Sequence, residues 1–167
     1  VDFLLVVSDD NDVEVQQSLS IALACPVSWF FAPPPEACPD DEGQDTFLIE
    51  QQFERGRMVY VQTSDLIYVL FNDGLSPAWA SFQNRYDPAI HDEIDENFPF
   101  LQPVARLGFL WRGNDTVRTR LGSAEETEVA FDGLIQTAGD ASYITSSNRT
   151  ILQLLPNGDS WQIITLP

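Results

Sequence analysis

The spacing of apolar and polar positions is clearest between Phe53 and Gly74. A β-rich run through Arg57-Met58-Val59-Tyr60-Val61 is followed by the polar turn Thr63-Ser64-Asp65. A second run, Leu66-Ile67-Tyr68-Val69-Leu70-Phe71, closes on Asn72-Asp73-Gly74. This is the pattern of a hairpin that feeds a third strand. A weaker copy follows: Phe131-Asp132-Gly133-Leu134-Ile135, then Thr150 to Leu155, then Asn157-Gly158. In each copy a Trp, Trp79 or Trp161, opens the strand beyond the Gly turn. The pattern predicts an all-β chain with minor α content: two related β-hairpin or small-sheet units in one compact body.

Around these units the pattern is less regular. Val1 to Val7 is a near-continuous apolar run, and the acidic spacer Ser8-Asp9-Asp10-Asn11-Asp12 follows it. Val13, Val15, Leu19, Ile21 and Leu23 then alternate with polar residues as a half-buried strand would. From Cys25 to Gly43, Pro33-Pro34-Pro35 and the aromatic triplet Trp29-Phe30-Phe31 predict a loop whose rings either cover the sheet or form an exposed tip. Thr46 to Gln52 reads as a strand, and Ser76 to Pro103 as a long Pro-interrupted connection. Between 103 and 122 the apolar spacing approaches 3.6, which predicts two short helices at 103–112 and 115–121. Asn114-Asp115 can cap the second and Gly122 can end it. Further strands are expected at 127–131, 134–137, 142–145, 150–155 and 161–165. The chain thus divides into N-terminal strands at 1–24, a first β unit with the loop at 25–101, and the helices with the second β unit at 102–167.

Charge narrows the range of partners. The formal net charge is −18, and the eight cations are all Arg. Such a field repels nucleic acid and anionic lipid, so neither is expected as a partner. It favours divalent cations or basic partners. No apolar run approaches the roughly 18–20 residues of a membrane-spanning helix, so membrane insertion is not expected. Cys25 and Cys38, the only two cysteines, bracket the Pro-rich stretch. They suit a disulfide that closes a stiff loop and points to an extracellular setting.

The residues also carry a resemblance. Phe53-Glu-Arg-Gly-Arg-Met58, Ile67-Tyr-Val-Leu-Phe71-Asn-Asp-Gly74, Leu107-Gly-Phe-Leu-Trp111-Arg-Gly-Asn and Val117-Arg-Thr-Arg-Leu-Gly122 together resemble a repeated module of secreted and surface proteins of green non-sulfur bacteria. That module is itself distantly similar to the short LGFP-type repeats of envelope proteins. The similarity runs from about Cys25 to Trp161. The second unit departs from it by lacking the Glu-Arg pair before its Gly and by a longer insertion. The resemblance implies an extracellular location and non-catalytic neighbours rather than a chemistry.

Candidate chemistry is sparse. The single His91 lies in the acidic stretch His91-Asp92-Glu93-Ile94-Asp95-Glu96, a poor place for a hydrolase base. No phosphate-binding Gly loop or metal-His pair is present, so no catalytic residue and no cofactor are expected. Asp9, Asp10 and Asp12, or Asp40, Asp41 and Glu42, offer oxygen ligands for calcium, without EF-hand spacing. Asn114 and Asn148 begin glycosylation sequons. Trp29, Trp79 and Trp111 are candidate platforms for sugar rings if the protein binds surface glycans. Phe3, Leu4, Leu5, Val6 and Val7 form a candidate assembly strand, which pairs either within its own chain or with a neighbouring copy. The function expected from these readings is non-enzymatic: a subunit of a surface filament or other homo-oligomer, with a carbohydrate-binding or adhesive module as the alternative.

Overall fold

The computed structural model of the chain describes residues 2–8, 14–20, 24–91, 94–95, 98 and 101–167. It is mostly β, with two α-helices among the described residues and a Cys25–Cys38 disulfide. Strands β1 (Asp2–Ser8) and β2 (Glu14–Ser20) pair only with each other, as an antiparallel hairpin. The body is one antiparallel sheet of eight strands built from two meanders. The first is β3 (Gln44–Phe53), β4 (Gly56–Val61), β5 (Leu66–Phe71) and β6 (Trp79–Gln83). The second is β7 (Val129–Ala138), β8 (Ala141–Thr145), β9 (Thr150–Leu154) and β10 (Trp161–Thr165). They join where β3 pairs with β7, in the spatial order β10-β9-β8-β7-β3-β4-β5-β6.

The sheet folds over on itself. β7 pairs with β3 through residues 129–135 and with β8 only through 135–138. At this change of partner the Thr145 hydroxyl accepts from the Leu134 N–H at 3.0 Å and lies 3.2 Å from the Leu134 carbonyl. Leu48, Val59, Val61, Tyr68 and Leu70 of the first meander therefore pack against Ile144, Leu152 and Leu154 of the second. β4 and β5 are covered on their other face as well. Ile49, Met58, Tyr60, Val69 and Phe71 meet Leu107 and Trp111 of helix α1 (Ala105–Gly113) and Val117 and Leu121 of α2 (Asp115–Leu121). Burial on both faces explains why Ile67-Tyr68-Val69-Leu70-Phe71 lacks polar alternation.

Two tryptophans tie the meanders reciprocally. Trp79, which opens β6, donates its indole N–H to the Leu155 carbonyl just after β9 at 2.8 Å. Trp161, which opens β10, donates to the Phe71 carbonyl at the end of β5 at 2.9 Å. The turns ahead of them also correspond. Phe71 donates its N–H to Ala78, and Leu155 donates to Ser160.

The predicted helices at 103–112 and 115–121 are observed at 105–113 and 115–121, and the caps are as expected. The Asn114 side chain accepts from the Val117 N–H at 3.1 Å, and Gly122 follows α2 with φ 79°. Three expectations are corrected. The strands read as 127–131 and 134–137 are the single strand β7, and the turn of that hairpin is Gly139-Asp140. Gly133 marks close packing instead of a turn, since a Cβ there would lie 2.7 Å from Leu48 Cδ1 and 2.9 Å from Thr145 Cβ. The connection Ser76 to Pro103 contains β6. Finally, the strand read as half-buried at 13–23 leaves Val15 and Leu19 exposed; Val13, Ile21 and Leu23 lie outside the described residues.

At the centre of the folded sheet is a polar group that the apolar pattern does not announce. Glu50 of β3, 1% exposed, points to the inner face beside Leu48. Its carboxylate pairs with the Arg57 guanidinium of β4 at 2.6 Å and accepts from the Ser146 hydroxyl at 2.9 Å and the Ser147 N–H at 2.7 Å. Both serines belong to the β8–β9 turn, and Arg57 lies 5.6 Å from the Trp161 ring. Outside this core, Arg120 of α2 donates to both oxygens of Asp73 at 2.7 Å and to the carbonyls of Leu75 and Pro77, over the face of Phe71.

Both clusters lead to measurable expectations. Glu50→Leu leaves Arg57 buried without its carboxylate and should cost about 3–5 kcal/mol in urea unfolding. Adding Arg57→Met should recover most of that loss; a double variant as unstable as the single one would mean the charge pair is not the cause. The Arg120 hydrogen bonds hold the Asp73 carboxyl down at about 2, against an ordinary 3.8. A depressed carboxyl contributes its stabilisation in full above pH about 4 and loses it as pH falls through about 2. Asp73→Asn should therefore cost about 2 kcal/mol at pH 7, and the difference from the unaltered chain should vanish towards pH 2. An equal difference at both pH values would contradict this.

Candidate interaction surface

The hairpin register places Phe3 opposite Leu19, Leu5 opposite Gln17 and Val7 opposite Val15. Directly opposed residues share a face, so one face carries Phe3, Leu5, Val7, Val15 and Leu19, interrupted by Gln17. The other carries Leu4 and Val6 among Ser8, Glu14, Gln16 and Ser18. The apolar face is open: Phe3 is 54% exposed, Leu5 61% and Leu19 59%. None of these residues belongs to the three buried clusters of the body. The apolar strand expected at 3–7 therefore exists, already paired within its own chain through β2, and the outer edge of each strand is unpaired in the sheet.

The disulfide closes the predicted loop, and the aromatic triplet covers the second meander. The Trp29 and Phe31 ring centres lie 4.5 and 5.7 Å from that of Tyr143 in β8. Buried Gln136 of β7 fastens the loop down: its amide accepts from the Phe30 N–H and donates to the carbonyls of Ser28 and Asp41 at 3.0 and 2.8 Å. Its role has no sequence signal, because a lone Gln in a strand reads as a solvent-facing position. The helices, which follow the first unit in sequence, cover that unit. The loop, which precedes it, covers the second.

The proposed sugar platforms have other neighbours. Trp111 is 4% exposed, between α1 and the sheet, and donates to the Gly122 carbonyl. That overturns its reading as a stacking surface. Trp79 is half-buried and held by Leu155, and Trp29 donates to the Ala37 carbonyl at 3.0 Å while packing on Tyr143. Tyr60 lies under the Arg106 guanidinium. Its hydroxyl, pushed up by burial and then by the neighbouring Asp65, donates to that carboxylate at 3.0 Å. Asp65 is in turn held below its ordinary range by the Asn84 amide first and the Tyr60 hydroxyl second.

The other candidates are scattered. His91 accepts the Asp87 N–H at Nδ1, 2.9 Å away, and packs on the Phe109 ring at 4.3 Å. Of the sequons, Asn148 is exposed in the β8–β9 turn, whereas the Asn114 side chain is engaged in capping α2. Asp9, Asp10 and Asp12 lie outside the described residues, while Asp40, Asp41 and Glu42 are exposed. Among the described residues no three His, Cys, Asp or Glu side chains are grouped to hold a metal, and no helix is long and apolar enough to cross a membrane.

Hollows in the body were not anticipated, and two of them flank the first meander. One, of about 550 Å³, is an open trough at the β3–β7 seam, with Phe47 and Leu134 in its lining beside Asp45, Asp132 and Thr63. The other, of about 420 Å³, is a notch between α1 and the β5–β6 edge. Each draws residues from elements far apart in the chain, so no local motif marks it. No family model, curated protein or solved structure matches the chain.

The loop anchoring predicts the effect of breaking the disulfide. Replacing both cysteines with Ser should lower stability by about 3 kcal/mol and shift Trp29 emission to the red as its packing on Tyr143 loosens. An unchanged spectrum and midpoint would show that Gln136 alone suffices.

Proposed function

We propose that this chain is a non-enzymatic structural module of a secreted or cell-surface assembly, which joins copies of itself through the β1–β2 hairpin. The observation that carries this reading is the open apolar face of Phe3, Leu5, Val7, Val15 and Leu19 on a two-stranded sheet with two free edges. An isolated hairpin is marginal in water and gains from a partner sheet. Free strand edges accept further strands. Because β1 is already paired, the whole hairpin docks, where a lone strand would first have to leave β2.

A second copy is a suitable occupant, since the same apolar face and edges are then present on both sides of the contact. Full burial of an apolar side chain contributes about 1.5–3 kcal/mol. These side chains are already partly covered, so the total is comparable to the association cost of about 4–15 kcal/mol. Assembly is therefore expected where copies are concentrated or tethered side by side. The Cys25–Cys38 bond fits an oxidising, extracellular setting, in line with the resemblance to repeated modules of secreted proteins. The glycan-binding alternative rested on Trp29, Trp79 and Trp111, whose rings are engaged elsewhere.

Sedimentation velocity over a concentration series tests the reading. The unaltered chain should form larger species as concentration rises, and Leu5→Gln with Leu19→Gln should leave a monomer with an unchanged melting temperature. A chain that stays monomeric at millimolar concentration, or a double variant that still associates, would overturn the hairpin as the joint.

A further inference from the structure

We infer that the notch between α1 and the β5–β6 edge binds an amphipathic carboxylate, a small apolar body bearing one anionic head. Ile67 of β5, Phe82 of β6, and Phe109 and Leu110 of α1 supply the apolar lining, Arg85 stands in the wall, and Gly113 closes the helix end. The volume of about 420 Å³ lies in the range of small-ligand pockets. Among the described residues no acidic side chain lines it.

Arg85 points to the anion. The protein holds 26 acidic residues against 8 Arg, and nearly every other Arg has a partner: Arg57 has Glu50, Arg118 has Asp115, Arg120 has Asp73, and Arg106 covers Tyr60. Among the described residues Arg85, exposed at the notch, forms no ion pair or hydrogen bond. An uncommitted guanidinium beside an apolar wall is complementary to a carboxylate attached to an apolar group. The surrounding charge of −18 adds selectivity. It repels small free anions such as acetate, so an anion stays only if burial of its apolar part offsets the repulsion.

Calorimetric titration of the full chain with octanoate, 1-octanol and octyltrimethylammonium, all below micellar concentrations, tests this. Octanoate should bind saturably at one site, about tenfold or more tighter than octanol, and the cation should not compete. Arg85→Gln, at an exposed and unpaired position, should bring octanoate down to the level of octanol. Gly113→Leu should weaken both, because a Cβ at Gly113 meets no atom within 4 Å and the longer side chain can occupy the notch. Repeating the titration on Leu5→Gln/Leu19→Gln separates this site from the hairpin, and binding there should be unaltered. Absence of saturable octanoate binding, equal affinity for octanol with Arg85→Gln without effect, or binding lost only with the hairpin substitutions would each overturn the assignment. Should Gly113→Leu not fold, the Arg85→Gln comparison decides alone.

Discussion

A buried carboxylate at the middle of a folded sheet has to be met from all sides, and that requirement organises this protein. Glu50 takes its guanidinium from the adjacent strand β4 and its hydroxyl and N–H donors from the β8–β9 turn of the other meander. Apolar contacts alone would tolerate several offsets between the two halves of the sheet. Hydrogen bonds of 2.6–2.9 Å to one carboxylate tolerate few. The buried pair is thus a device of register more than of net stability, since a well-packed apolar pair of similar volume can equal it in energy.

The other ties repeat the same logic at the periphery. Trp79 and Trp161 each cross to the opposite meander, Gln136 holds the disulfide loop against β7, and Arg120 holds α2 against the turn after β5. Each meander also takes its outer cover from a stretch of chain that is not its own. The helices that precede β7 lie on β3–β5, and the loop that precedes β3 lies on β8 and β9. Neither half completes its core alone, so the two are expected to unfold together, although they correspond strand for strand.

Much of this was legible in the sequence, for reasons that can be named. β4 and β5 are apolar on both faces, the Asn114 and Gly122 caps bracket α2, and Cys25 and Cys38 stand alone as a pair. Each is a local signal with one dominant physical cause. What escaped was non-local. The expected strands 127–131 and 134–137 are separated at Asp132-Gly133 because a Gly in an apolar run has two meanings, a break or a close approach, and only the packing of Leu48 and Thr145 distinguishes them. Val15 and Leu19 show the right alternation for a half-buried strand, yet alternation reports a two-faced strand without saying that anything covers the apolar face. The Glu50 cluster, Gln136 and the Arg85 notch draw partners from distant stretches of chain, Glu50 from Ser146 and Ser147 and Gln136 from Ser28 and Asp41, beyond any periodicity.

Charge links the hairpin to the rest of the molecule. The excess of acidic residues gives the body a field that keeps copies apart, but at physiological ionic strength its reach is about 8 Å. Of the fourteen residues in β1 and β2 only Asp2 and Glu14 are acidic, so the paired strands themselves carry little of that charge, while the spacer between them holds Asp9, Asp10 and Asp12. Under the proposed hairpin joint, repulsion between the acidic bodies would disfavour lateral, non-specific contact, and the apolar strand face would give association its direction.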